Sequence, residues 1–384
     1  MKDVLIISTD VFNDLDGDNI SNLLQEIFNR NMYIAITARF QQSLDECRKH
    51  IENTYDLSKY AKNIRFMDRD NVKLLVKNHE KESTRFVVVG NKDADLQLAA
   101  PLKLFYIVPL WCRKIQDLPD KYGFKAKSPK GLLKLLDILN NQQSWFFRLD
   151  IGESATVLAL TNANDYGNHS KEEIEMIKGF KRYLKKGNKA YYNVLLAHFL
   201  ASISNEADFK EIRDWGIIPS SGTNLNADML ELKEKARILM NGRKSMPIFI
   251  RHTATFKSHE NNVPSIRLPC NRHFDTIIIN PEYKNKLKGR VVCIFDDYLT
   301  NGTSFETARN LLLKEGVKKI YFVALGKFRK GGLNQYLIQN FKLNGELNKP
   351  GYKYKPINNE WANGVFDNSA IREIEELHNI IYEK

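Results

Sequence analysis

Short apolar runs recur along this chain, each closed by polar residues and separated from the next by an amphipathic helical stripe. That alternation restricts the chain to an α/β architecture built on parallel strands. In the first half the apolar runs are Val4–Ile7, Tyr33–Ile36, Arg85–Val89 and Phe105–Val108. Between and after them lie helical stripes at Asn19–Asn29, Asp70–Lys77, Asp93–Ala100 and Ser128–Asn140. In the second half strands are expected at Trp215–Ile218, Pro247–Ile250, Thr276–Ile279, Arg290–Phe295 and Lys319–Leu325, with helices at Ala227–Met240 and Ser304–Glu315.

The two halves are joined by a region of different character. Residues 141–204 read as a linker with one strand at Thr156–Leu160. They continue into a helix opened by the capping box Ser170-Lys171-Glu172-Glu173 and then an apolar helix, Ala190–Ile203. The expected organisation is a first domain over 1–140, this linker and helical segment over 141–204, a second domain over 205–330, and a C-terminal cover over 331–384. The cover is expected to be helical and irregular, burying Tyr352, Tyr354, Trp361 and Phe366 against the second domain. The fold class is therefore α/β, with two parallel-sheet domains.

Composition removes several function classes. Hydrophobic residues make up 43% and charged residues 27% of the 384 positions, which excludes a disordered or fibrous chain. No apolar stretch approaches the roughly 20 residues of a bilayer span, and the N-terminal apolar run is too short for a signal peptide, so no membrane partner and a cytoplasmic location are expected. Cys47, Cys112, Cys270 and Cys293 lack CxxC spacing, and the histidines form no HExxH, which argues against zinc chemistry. The net charge of +12 is uneven: residues 1–150 carry 23 basic and 20 acidic side chains, leaving +9 for the rest. An anionic partner of the second half is expected, whether a nucleotide, a polyphosphate or a nucleic acid.

The most specific segment is Val291-Val292-Cys293-Ile294-Phe295-Asp296-Asp297-Tyr298-Leu299-Thr300-Asn301-Gly302-Thr303-Ser304. An apolar strand runs to two acids, and a loop rich in hydroxyl and amide side chains then opens a helix. A helix N-terminus preceded by such a loop suits a phosphate, and Gly302 permits close backbone approach. Two carboxylates beside it suit vicinal sugar hydroxyls or a Mg2+ near them. Together these describe a site for ribose 5-phosphate.

In order and spacing this segment resembles the PRPP loop of the type I phosphoribosyltransferases. The resemblance implies that Asp296 and Asp297 hold the ribose hydroxyls, with an indirect Mg2+, and that Thr300, Asn301, Gly302, Thr303 and Ser304 hold the 5-phosphate. Trp215–Asn224 resembles the family's pyrophosphate loop, placing Ser220, Ser221 and Gly222 there, although the usual basic loop residue is missing. Phe249–His259, with Arg267, resembles the mobile hood of the ComF-like branch. Arg251, Lys257 and Arg267 would there neutralise the leaving pyrophosphate. Tyr298, Phe328 and Trp361 are candidates to stack on an acceptor base.

The polar strand ends of the first half are Ile7-Ser8-Thr9-Asp10, Thr37 and Gly90-Asn91-Lys92-Asp93-Ala94-Asp95. They resemble the haloacid dehalogenase (HAD) superfamily, whose phosphatases need a nucleophilic Asp and a second Asp two residues later. Here Phe12 or Ser8 occupies one of those positions, and Asn91 replaces a metal-binding acid. The resemblance implies a HAD-like Rossmannoid domain with a degenerate site at Ser8, Asp10, Thr37, Asn91 and Asp95, and little phosphatase activity. Fusions of these two families resemble proteins of bacterial stress and antiphage systems. Two functions follow as expectations. One is an enzyme that binds PRPP or a nucleoside 5'-phosphate and transfers or releases the phosphoribosyl group. The other is a non-catalytic nucleotide- or nucleic-acid-binding subunit of a larger protein complex.

Overall fold

The computed structural model describes residues 3–141, 145–164, 169, 171–186, 192–243, 246–255, 263, 268–329 and 335–382. It is an α/β protein with two domains. In chain order β1 (Val4–Ser8), β2 (Tyr33–Ala38), β3 (Ile64–Asp68), β4 (Phe86–Val89), β5 (Phe105–Pro109) and β6 (Phe124–Ala126) form a six-stranded sheet. Every pairing in it is parallel, in the order β3-β2-β1-β4-β5-β6. Leu5–Ser8 and Phe86–Val89 are buried along their whole length. Helices cover both faces of such a sheet, which is why these strands read as unbroken apolar runs. Helix Gly17–Asn29 illustrates the packing: Asp16 caps it by accepting from the Asn19 amide, and Ile20, Leu23, Leu24, Ile27 and Phe28 form its buried face. The chain builds outward from β1 through β2 to β3, then returns to β4 on the other side. A crevice therefore opens at the C-terminal ends of β1 and β4.

The second domain begins earlier than its motifs suggested. Residues 141–204, read as a linker with one strand at Thr156–Leu160 and two helices, supply both the expected strand, β8 (Ala155–Asn162), and an unexpected one before it, β7 (Phe147–Ile151), to the second sheet. Next come β9 (Asp214–Ile217), β10 (Phe249–Arg251), β11 (Ile277–Ile279), β12 (Val291–Leu299), β13 (Lys319–Lys327), β14 (Tyr336–Asn344), β15 (Lys353–Ala362) and β16 (Val365–Phe366). The second sheet has the order β16-β7-β8-β13-β12-β9. Its four strands β8, β13, β12 and β9 are parallel, but β7 and β16 add antiparallel edges, so the sheet is mixed rather than wholly parallel.

Two further corrections concern the periphery. Strands β10 and β11, expected within the second sheet, pair with each other as a separate antiparallel ribbon. The cover is not merely helical and irregular, since β14 and β15 form a long antiparallel hairpin. Tyr352 is buried, and Phe366 packs on Phe146 and Phe147, while Trp361 stays 38% exposed. Helix Ser369–Tyr382 closes the domain with Ala370, Ile371, Ile374 and Leu377 buried. All four cysteines are buried free thiols. Among the described residues no helix is long and apolar enough to cross a membrane.

Candidate functional site

Strand β12 is central to the parallel part of the second sheet, with β9 on one side and β13 on the other. It does not end at the acids. Asp296 pairs with Ala324 of β13, and the ladder continues through Tyr298 opposite Gly326 and Leu299 opposite Lys327. Tyr298 can stay in the ladder because Gly326 leaves room for its ring: a Cβ there would lie 3.2 Å from Tyr298 Cδ1. Asp296 and Asp297 are thus held by sheet geometry rather than by a loop. The Asp297 amide donates to Asp296 Oδ1 at 2.9 Å, and the Tyr298 amide donates to Asp297 Oδ1 at 2.7 Å. Withdrawal from water and the adjacent Asp297 charge push the Asp296 carboxyl well above the usual range, with Arg251 opposing the shift.

The loop Thr300–Gly302 leads into helix Thr303–Lys314. Gly302 adopts φ +89°, a left-handed conformation that favours glycine. The amides of Thr303, Ser304 and Phe305 have no acceptor among the described residues, which leaves three unpaired donors at a helix N-terminus. The Thr303 hydroxyl donates to the Leu268 carbonyl at 3.0 Å, whereas the Ser304 hydroxyl has no partner among the described residues.

Several residues that shape this loop escaped sequence reasoning. The buried Lys327 closes it from below, donating from Nζ to the carbonyls of Thr300 at 2.6 Å, Phe328 at 3.1 Å and Gln335 at 3.0 Å. Tyr336 seats its ring on Gly302, where any Cβ would fall well inside van der Waals contact. The closest approach to this glycine is therefore made by the protein's own hairpin. The Tyr336 hydroxyl donates to Glu306 Oε1 at 2.9 Å, and the fully buried Glu306 also accepts from Arg309 and from the Gln339 amide. The Leu337 amide donates to the Asn301 carbonyl at 3.0 Å. A lysine ending an otherwise apolar strand was the available signal for Lys327. Nothing local marked Tyr336, which meets the loop only in three dimensions.

The Ser220–Gly222 loop follows β9, next to β12, so the two phosphate-loop candidates lie at the same end of the sheet. Ser220 and Gly222 are exposed. The expected role of Arg251 as a mobile hood residue is not what the fold provides. Arg251 is 3% exposed, and its guanidinium donates to the carbonyls of Ser220 at 2.6 Å and Pro219 at 3.3 Å and to the Thr276 hydroxyl, with His273 Nδ1 3.2 Å away. It clamps the Ser220 loop from the ribbon strand β10. Burial, helped by Arg272, pushes its pKa down to about 10. Lys257 and Arg267 lie outside the described residues. Tyr298 and Phe328 sit 5.5 Å apart, centroid to centroid.

In the first domain the predicted residues do converge at the crevice. Ser8 pairs in register with Thr37, both buried, and Asp10 follows in the short helix Thr9–Asn13. Lys92 reaches Asp10 at 2.6 Å. Asp95, 1% exposed, accepts from the amides of Asn91 and Lys92 and pairs with Arg69 at 2.7 Å, a partner the sequence reading missed. Gly90 is required here, since a Cβ would collide with the Asp95 carboxylate. Asn91 turns its amide to the Lys114 carbonyl at 2.8 Å, and Phe12 is fully buried in the core. The Thr37 hydroxyl is buried and has no hydrogen-bond partner among the described residues. Beside the ends of β2 and β3 lies a cleft of about 490 Å3 lined by Arg39, Gln41, Asp68, Arg69, Asp70 and Lys73.

No three His, Cys, Asp or Glu side chains among the described residues come together as a metal cluster. Two adjacent carboxylates repelling each other at Asp296 and Asp297 still fit Mg2+, which commonly takes one or two protein carboxylates and completes its shell with water and substrate phosphates. No family model matches the chain, and neither a curated protein nor a solved structure matches it. The fold and its polar strand ends define a two-domain α/β protein with a candidate ligand site at the C-terminal ends of the parallel strands of each main sheet.

Proposed function

We propose that the second domain binds PRPP or a nucleoside 5'-phosphate and transfers or releases its phosphoribosyl group, with the HAD-like first domain as a largely inactive scaffold. One observation carries this reading: an adjacent acid pair and a helix N-terminus with unpaired amides share one strand–loop–helix. Asp296 and Asp297 would accept from the ribose hydroxyls, and the Thr303–Phe305 amides and the Ser304 hydroxyl would hold the 5'-phosphate. Asp296 and Asp297 would hold a Mg2+, which would supply positive charge for the ligand's phosphates. The loop Ser220–Gly222, braced by Arg251, would face the leaving group.

A second reading, binding without catalysis, is favoured by Arg251. Its guanidinium is already spent on loop carbonyls and Thr276, so it cannot swing onto a departing pyrophosphate. Isothermal titration of the full chain with PRPP, with and without Mg2+, tests both readings when combined with an assay for pyrophosphate release. Binding that is lost in Asp296→Asn/Asp297→Asn supports the site. Binding without release in the presence of candidate bases selects the second reading. Failure of the folded wild-type chain to bind PRPP or any nucleoside 5'-phosphate refutes both.

A further inference from the structure

The uneven charge of the chain has a structural focus that the ligand site does not use. Two segments precede adjacent strands of the second sheet: 284–290 before β12, and 314–319 before β13. Together they hold seven basic side chains and one acid, Glu315, which is half of the chain's net +12. The fold staples the two segments side by side. The Gly289 amide donates to the Gly316 carbonyl at 2.7 Å, and the Lys318 amide donates to the Arg290 carbonyl at 2.8 Å. Both turns depend on glycines in left-handed conformation, with φ +71° at Gly289 and +78° at Gly316.

Most of this charge faces water. Lys284, Lys286, Lys288, Lys314 and Lys318 are exposed. Arg290 is consumed by the buried Asp214, its Nη1 donating to both carboxylate oxygens, while Lys284 and Lys318 make only loose 3.6 Å pairs with Glu346 and Glu211. Lys286, Lys288 and Lys314 have no ion-pair partner among the described residues. The patch lies at the N-terminal end of the strands, roughly 15–20 Å along β12 from Asp296 at about 3.3 Å per residue. A small anion at the acid-pair loop therefore cannot account for it.

We propose that this lysine face is a docking surface for the phosphate backbone of double-stranded nucleic acid. Flexible ammonium groups, with only loosely held acids beside them, suit contact with phosphates rather than with base edges. Neither segment contains an aromatic residue, which removes the stacking platform that single-strand binders rely on and favours a duplex. The interaction is independent of base sequence and steeply salt-dependent. It is also independent of the ligand assigned to the acid-pair site.

The test is fluorescence anisotropy of a labelled 20-base-pair duplex titrated with the full chain over a range of salt concentrations. Lys286→Glu/Lys288→Glu/Lys314→Glu is compared with a control of equal charge change on the first domain, Lys59→Glu/Lys62→Glu/Lys77→Glu, whose sites are also exposed. Circular dichroism confirms that both variants are folded. The expected result is a loss of about ten-fold or more in affinity for the patch variant. Its log–log salt slope should be shallower by about 2–3, from roughly 0.9 per lost contact. The control and Asp296→Asn should change little. Equal weakening by the control would reduce the effect to net charge and overturn the proposal. So would duplex binding unaffected by the patch variant, or capture of a polyglutamate peptide in place of the duplex, which would indicate an acidic protein partner.

Discussion

Replacing Gly302 by alanine tests what the glycine is for. The left-handed backbone costs an alanine about 1–2 kcal/mol. Its methyl group would also press into the Tyr336 ring, and overpacking of this kind costs about 1–3 kcal/mol. Gly302→Ala should therefore lose about 2–5 kcal/mol. Tyr336→Ala removes a fully buried ring and a hydrogen bond to Glu306, at about 3–5 kcal/mol. In the double variant the clash has no partner left and only the backbone cost of Gly302→Ala persists. The two losses should then fall short of additivity by about 1–3 kcal/mol, in the range measured for contacting residues. Urea denaturation followed by tryptophan fluorescence reads this out, because Trp215 is buried in the second-domain core. Additivity within about 0.5 kcal/mol would show that Tyr336 does not occupy the space over Gly302, and would return the glycine to the role of admitting a ligand.

Two further outcomes follow from the sites. Asp296→Asn should stabilise the folded chain at neutral pH, since asparagine keeps an acceptor for the Asp297 amide without a desolvated charge. The folded-state pKa is raised above the ordinary 3.8, so the benefit of the protonated acid is complete below about pH 4 and is lost as pH rises through the raised value. The stability difference between variant and parent should therefore vanish below about pH 4 and grow above it; a difference flat from pH 4 to 8 refutes the assignment. In the first domain, Mg2+-dependent hydrolysis of p-nitrophenyl phosphate should be negligible, and Asp10→Asn should change stability by only about 0–1 kcal/mol through its part-exposed pair with Lys92. Enzyme-like turnover abolished by Asp10→Asn would restore an active phosphatase site.

The amino-acid sequence alone determined the α/β class, the two-sheet organisation and the central strands. Burial on both faces leaves a strand segment such as Leu5–Ile7 or Phe86–Val89 no polar positions, and the run is visible without a structure. The acid pair and loop of the second domain were legible for a related reason, because helix-terminal chemistry is local in sequence. Edge elements were not. Strand β3 is half-exposed and mixes Arg65 and Asp68 with its apolar residues, β6 is three residues long, and the β14–β15 hairpin is largely exposed along β15, so none carries a strong pattern. Tertiary structure alone decided how the candidate sites are finished. It turned Arg251 inward as a loop clamp, brought Arg69 to Asp95, placed Lys327 beneath Thr300 and laid Tyr336 on Gly302. These partners are separated by 26 to 34 positions in the chain, and their meeting depends on how strands and loops pack rather than on any local periodicity.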